Sequence, residues 1–221
     1  MSKLIVGNWK MNGTRPLVDA FLDSINEDNV VIGFPTLFIY YAHFKNKKLK
    51  IAAQDCSVNN DFGAHTGEVS AKMLFESGCE YVILGHSERR SSSQSDSVEN
   101  VFKKLQNVIN NGMTAILCVD ENYDKLINEK TCNFLKNNLE KIIIAYEPLS
   151  AIGTGVTPSI SEISCALKSI KDKYFNIKTL YGGSVNPKNS NDILSIDEVD
   201  GVLIGGVSLK LNELKEIAKA S

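Results

Sequence analysis

EYVILGHSERRSSSQSDSVENVFKKLQNVINNGMTAILCV, residues 80–119, contains one full turn of the alternation on which the whole chain is built. It opens on EYVILG, an apolar run of strand length. Its middle, VENVFKKLQNVINNG, sets Val98, Val101, Phe102, Leu105, Val108 and Ile109 on one helical stripe, with Gly112 just beyond to stop it. A second strand-length run, MTAILCV, follows directly. Runs that are apolar throughout, rather than alternating, point to burial on both faces, as in a parallel sheet covered by helices.

Outward from this stretch the pattern repeats in both directions. LIVGNW, NVVIGF and KIAAQ precede it; KIIIAYE, IKTLYGG and VDGVLIGG follow it, with longer segments of helical periodicity between. ISEISCALKSIKDKY is the next clearest helix, led in by Pro158 and Ser159. No linker, low-complexity tract or charge block interrupts the series. The expectation is an α/β fold, one closed (β/α)8 barrel domain over residues 1–221. A doubly wound open sheet is the alternative architecture, because alternation alone does not distinguish closure from openness.

The bulk composition narrows the function classes. With 221 residues, 43% of them hydrophobic, the chain can bury one sizeable core. A formal net charge of -2 gives no basic field, which argues against nucleic acid as the partner and leaves any anionic metabolite to be held by local features. The opening MSKLIVGNWKMNG is broken by Gly7, Asn8 and Lys10, too soon for a signal peptide, and no run reaches membrane-spanning length. Cys56, Cys79, Cys118, Cys132 and Cys165 are odd in number and lack metal-type spacing. A reduced, cytoplasmic protein with no membrane partner is expected.

Polar residues gather where the strand-like runs end. Asn8 and Lys10 close the first run, His86 the fourth, Cys118 the fifth and Glu147 the sixth, while glycine pairs close the last two. In a closed barrel those ends share the face on which active sites are built. Glu147 emerges from three consecutive isoleucines, Ile142 to Ile144, so its carboxylate is expected to be partly desolvated and thereby a stronger base. The stretch after it, with Gly153 and Gly155, reads as a loop covering a site; its IGTG lacks the spacing of a dinucleotide fingerprint. YGGSV (181–185) and IGGVSL (204–209) offer backbone N–H groups that can cradle a phosphate dianion without Lys or Arg. Taken singly, each glycine pair also fits a tight strand-to-helix turn, and LGHSERR (84–90) a loop histidine ahead of a solvated charge run.

Taken together, GNWKMNG, GHSERR, AYEP followed by AIGTG, YGGSV, and GG-x-SL, with AQDCS and GAHTGEVS, resemble the signatures of the triosephosphate isomerase family in their order and spacing. The resemblance covers nearly the whole chain and implies a TIM barrel. It implies an aldose-ketose isomerase of glycolysis and gluconeogenesis, interconverting dihydroxyacetone phosphate and D-glyceraldehyde 3-phosphate through an enediolate, with no cofactor and no metal. By the same resemblance, Glu147 is the base, His86 the electrophile that also moves protons between oxygens, and Lys10 and Asn8 the groups that bind substrate and stabilise the enediolate. Gly153, Ser184 and the backbone of Gly205 and Gly206 would hold the phosphate, and Glu88 would organise Lys10. A homodimer is implied through the loop from Gln54 to Thr66, with small triose phosphates as the other partners.

The chain also departs from the family's pattern. Leu149 and Ser150 stand where Val-Trp is usual, Asp120 stands where a Gly is usual, and His65 occupies an aromatic position. The chain is shorter than a typical member, and the largest loss is expected between Asn122 and Glu140. Whatever the family, removing a proton beside a carbonyl needs a base at carbon and preorganised donors at the oxygen. Glu147 supplies the first requirement, and His86, Lys10 and Asn8 the second.

Overall fold

The structure is a computed structural model, and it describes residues 2–91, 96–149 and 157–221. Eight parallel strands close into a barrel in sequence order: β1 (Leu4–Asn8), β2 (Val30–Gly33), β3 (Lys50–Ala53), β4 (Tyr81–Leu84), β5 (Thr114–Val119), β6 (Ile142–Tyr146), β7 (Lys178–Tyr181) and β8 (Gly201–Ile204). All eight expected runs form strands. Closure is decided at the seam, where β8 pairs with β1 from Leu4↔Gly201 to Gly7↔Ile204. Glycine is needed there, because a Cβ on residue 201 would lie 2.0 Å from the Leu4 carbonyl oxygen. The open-sheet alternative is thereby excluded.

Side chains alternate across the barrel wall with the period of two that a strand imposes. Val6, Val31, Ile83, Ile116, Ala145 and Leu203 belong to the cluster that fills the interior. Their neighbours Ile5, Ile32, Val82, Leu117, Ile144 and Val202 face the surrounding helices. Both faces are buried, which is why the strands read as uniformly apolar in the sequence. The same period carries chemistry to the barrel's C-terminal mouth. Asn8 stands two residues beyond Val6 and Glu147 two beyond Ala145, so both side chains continue the inward rows.

The helices form where periodicity and caps agree. Val98–Asn110 buries Val101, Phe102, Leu105 and Val108, and its N-cap Ser97 accepts the Asn100 N–H, a bond of the kind that contributes about 1 kcal/mol. Ile160–Lys173 opens with a reciprocal capping box between Ser159 and Glu162. Between Asn122 and Glu140 stand two short helices, Tyr123–Leu126 and Glu129–Lys136. Leu135 anchors the second in the core, and Phe134 meets Phe102 edge-on at 5.6 Å between ring centroids. Among the described residues, no helix is long and apolar enough to cross a membrane.

Candidate active site

Asn8, Lys10, His86, Glu147, Ser184, Gly205 and Gly206 line one cavity of about 530 Å3 at the C-terminal mouth of the barrel. Strand ends from opposite sides of the wall converge there, so residues far apart in sequence become neighbours. Gly153, the remaining sequence-predicted site residue, lies outside the described residues.

Glu147 is only 2% exposed. Its Oε1 lies 3.2 Å from His86 Nε2, and the Ser87 N–H and the Cys118 thiol favour the charged carboxylate. Oε2 is buried without a hydrogen-bond partner among the described residues. Burial pushes the Glu147 pKa up to about 7, and the Ser87 N–H and the charges of Lys10 and Arg90 only partly oppose it. A base with that pKa is matched to neutral pH, and its unpartnered oxygen is free to take a proton. Gly182 makes room for it, since a Cβ there would stand 2.7 Å from Glu147 Cγ.

His86 precedes the short helix Ser87–Ser91, and its Nδ1 accepts the backbone N–H of Glu88 at 3.2 Å. The Glu88 carboxylate is farther away, at 3.7 Å, outside hydrogen-bond range. An Nδ1 that accepts carries no proton, so the imidazole N–H is on Nε2, facing Glu147 and the cavity. Burial and the Lys10 charge hold the His86 pKa well below the usual imidazole value, with Glu88 opposing. The ring is therefore neutral at pH 7 and is a donor rather than a cation.

Lys10 has φ 53°, a left-handed conformation that costs a non-glycine residue on the order of 1 kcal/mol. Three contacts hold it there. Its N–H donates to Asn8 Oδ1 at 3.0 Å, its carbonyl accepts from Gln54 Nε2 at 2.9 Å, and its Nζ meets Glu88 Oε1 at 2.6 Å. The ammonium is thus aimed by the backbone, and Glu88 takes the organising place the sequence resemblance gave it. Gln54 was missed as a site residue although it lies in a quoted motif, because a contact to a backbone carbonyl 44 positions away leaves no local signal.

The glycine pairs differ from each other. A Cβ on Gly183 would collide with the Tyr181 hydroxyl at 2.2 Å, so packing alone requires that glycine. A Cβ on Gly206 would meet nothing within 4 Å, and on Gly205 only Lys10 Cε at 3.6 Å. At residues 205 and 206 a glycine therefore keeps the backbone open to the cavity rather than relieving a clash. Lys210 also lines the cavity and went unread in the sequence, where it closes the GGVSLK string.

A model of the family described as "Triosephosphate isomerase" matches residues 3–221. The chain belongs to the triosephosphate isomerase family. It is similar to the triosephosphate isomerase of Francisella tularensis subsp. novicida (strain U112), 38% identical over 98% of this chain and 96% of that one. It is also similar to the triosephosphate isomerase of Mycoplasma mobile, 37% identical over 98% of this chain and 99% of that one. The first of these alignments runs over 245 positions against 221 residues here, so this chain lacks positions that its relative has.

Against the family's pattern, Asp120 tightens its turn. Arg90 Nη1 donates to Asp120 Oδ2 at 2.8 Å while Arg90 Nε donates to the Gly85 carbonyl at 2.8 Å, and Asp120 Oδ1 accepts the Asn122 N–H at 2.7 Å. The residue before His86 is thereby braced against the end of β5. Leu149 N–H donates to Glu121 Oε1 at 3.0 Å, which ties down the chain just after Glu147 and Pro148. Ser150 lies outside the described residues.

Proposed function

We propose that this protein is a triosephosphate isomerase that interconverts dihydroxyacetone phosphate and D-glyceraldehyde 3-phosphate through an enediolate, in glycolysis and gluconeogenesis. The observation that carries the reading is a buried carboxylate with a raised pKa, 3.2 Å from a neutral imidazole in a cavity that also holds an oriented ammonium. Glu147 removes the proton from the carbon beside the carbonyl and returns it to the neighbouring carbon. His86 polarises the carbonyl through Nε2–H and passes protons between the two oxygens. Lys10 and Asn8 stabilise the oxyanion as charge develops on it, an effect strengthened in a site with little water. The phosphate is held by Gly153, Ser184 and the backbone of Gly205 and Gly206. Covering the enediolate excludes water and the side reaction that would expel phosphate.

Turnover of purified protein on glyceraldehyde 3-phosphate, followed by coupled reduction of the dihydroxyacetone phosphate formed, is expected to be fast. A folded but inactive protein would overturn the assignment.

The working form is a cytoplasmic homodimer joined through the loop from Gln54 to Thr66. Met11, Phe62, Met73 and Phe75 support this reading, being 97%, 65%, 40% and 52% exposed in the isolated chain. Gln54 links that loop to Lys10, next to Met11. Light scattering at micromolar protein should give twice the mass of one chain; a monomer peak counts against the dimer.

A further inference from the structure

The turn after β7, residues 182–186, lines the cavity from Gly182 to Asn186. A backbone cradle binds an anion more tightly when its peptide planes are fixed in advance, since an N–H that must reorient gives up part of its binding energy. Glycines at 182 and 183 leave this turn few side chains of its own with which to fix itself. The fixing groups come from outside the cavity.

Asn189, just before the short helix Ser190–Leu194, is not among the residues lining the cavity. Its Nδ2 donates to the Ser184 carbonyl at 3.0 Å and to Thr157 Oγ1 at 3.3 Å. Thr157 Oγ1 in turn donates to the same carbonyl at 3.1 Å. A hydroxyl has one proton to give and can also accept, so these three contacts are compatible and close a triangle on the Ser184 oxygen. On its other side, Asn189 Oδ1 accepts the Asn186 N–H at 2.8 Å. One side chain thus clamps the turn at two peptides. In a trans peptide the C=O and N–H point in opposite directions. With the Ser184 carbonyl held toward Asn189 and Thr157, the Val185 N–H is turned the other way, to the side on which Ser184 and Val185 line the cavity.

We infer that Asn189 is a positioning residue for the phosphate end of the substrate, acting with Thr157 through the Ser184 carbonyl. The inference rests on the reading of this cavity as a triose phosphate site. A merely structural role, holding the turn together, would change stability without changing what the folded protein binds.

The test compares Asn189→Ala, Asn189→Asp and Thr157→Val with wild type in four readouts. These are kcat and KM for glyceraldehyde 3-phosphate, Ki for inorganic phosphate, and the rate on glyceraldehyde, which carries no phosphate. For Asn189→Ala, KM and the phosphate Ki should rise about tenfold while kcat changes less than about threefold and the glyceraldehyde rate stays within about twofold. Asn189→Asp keeps the acceptor for Asn186 but turns an oxygen toward the Ser184 carbonyl, so its loss should be at least as large. Thr157→Val keeps the shape and removes one donor, for a rise of about threefold. Unchanged phosphate affinity, or an equal loss on glyceraldehyde, overturns the inference. If Asn189→Ala does not fold, Thr157→Val decides by the same readouts. Wild type that binds phosphate without isomerising triose phosphate would refute the functional reading alone, and phosphate affinity across the variants would still judge Asn189.

Discussion

Replacing Glu147 with Gln is expected to lower kcat by about 10^4-fold, because it removes the only carboxylate among the described residues lining the cavity and leaves no base at the reacting carbon. The variant should also be more stable than wild type, in a way that depends on pH. The Glu147 pKa lies above its ordinary value, at about 7. A group raised in the folded state contributes fully below its unfolded pKa, and that contribution is lost as pH rises through the folded pKa. Wild type therefore bears an ionisation penalty that is absent near pH 4.5, grows between there and pH 7, and levels off above at on the order of 3 kcal/mol. Glutamine cannot ionise and escapes the penalty. Urea melts at pH 5 and pH 8 should show the Glu147→Gln advantage widening at the higher pH, while kcat/KM of wild type rises with pH and flattens above about 7. A stability gap that does not depend on pH would mean that the carboxylate is not held in the desolvated state described above, and substantial residual turnover would mean that the base lies elsewhere.

This destabilised carboxylate explains why part of the site was legible in the sequence and part was not. Ile142, Ile143 and Ile144 ahead of Glu147 announced a strand buried on both faces, and strand periodicity then dictated that Glu147 follow Ala145 into the mouth. Asn8 after Val6 follows the same rule. His86, Lys10 and the glycine pairs were found because they too stand at strand ends, which a closed barrel gathers on one face. Contacts between a side chain and a backbone carbonyl in a loop left no such trace. Gln54 on the Lys10 carbonyl, Asn189 and Thr157 on the Ser184 carbonyl, and Arg90 on the Gly85 carbonyl depend on loop paths that no periodicity encodes. In the sequence Asp120 stood out only as a departure, because glycine is usual there. Its pairing with Arg90 instead supplies a brace, and only the folded chain brings those two residues together.

The proposed division of labour between Glu147 and His86 is tested most directly by His86→Gln. Glutamine keeps an N–H donor of similar reach, so it preserves part of the polarisation of the substrate carbonyl. It cannot pass a proton from one oxygen to the other, as a neutral imidazole with Nε2–H facing the cavity can. The expected result is a fall in kcat of about 10^2- to 10^3-fold, with KM changed by no more than a few fold. Stability should respond in the opposite pH window from Glu147→Gln. The His86 pKa is lowered by burial and by Lys10, so the folded state favours the neutral ring. Wild type then loses stability as pH falls below the ordinary imidazole value toward the folded one, because the unfolded chain binds a proton that the folded chain refuses. His86→Gln is free of that loss, so its stability relative to wild type should improve from pH 7 to pH 5. If the imidazole were instead a cation paired with Glu147, removing it would abolish an ion pair present at neutral pH, and the variant would be destabilised most near pH 7. The sign of the change in relative stability between pH 7 and pH 5 therefore decides whether the ring that faces Glu147 is neutral or a cation, and with it whether His86 acts on the substrate as a hydrogen-bond donor or as a fixed positive charge.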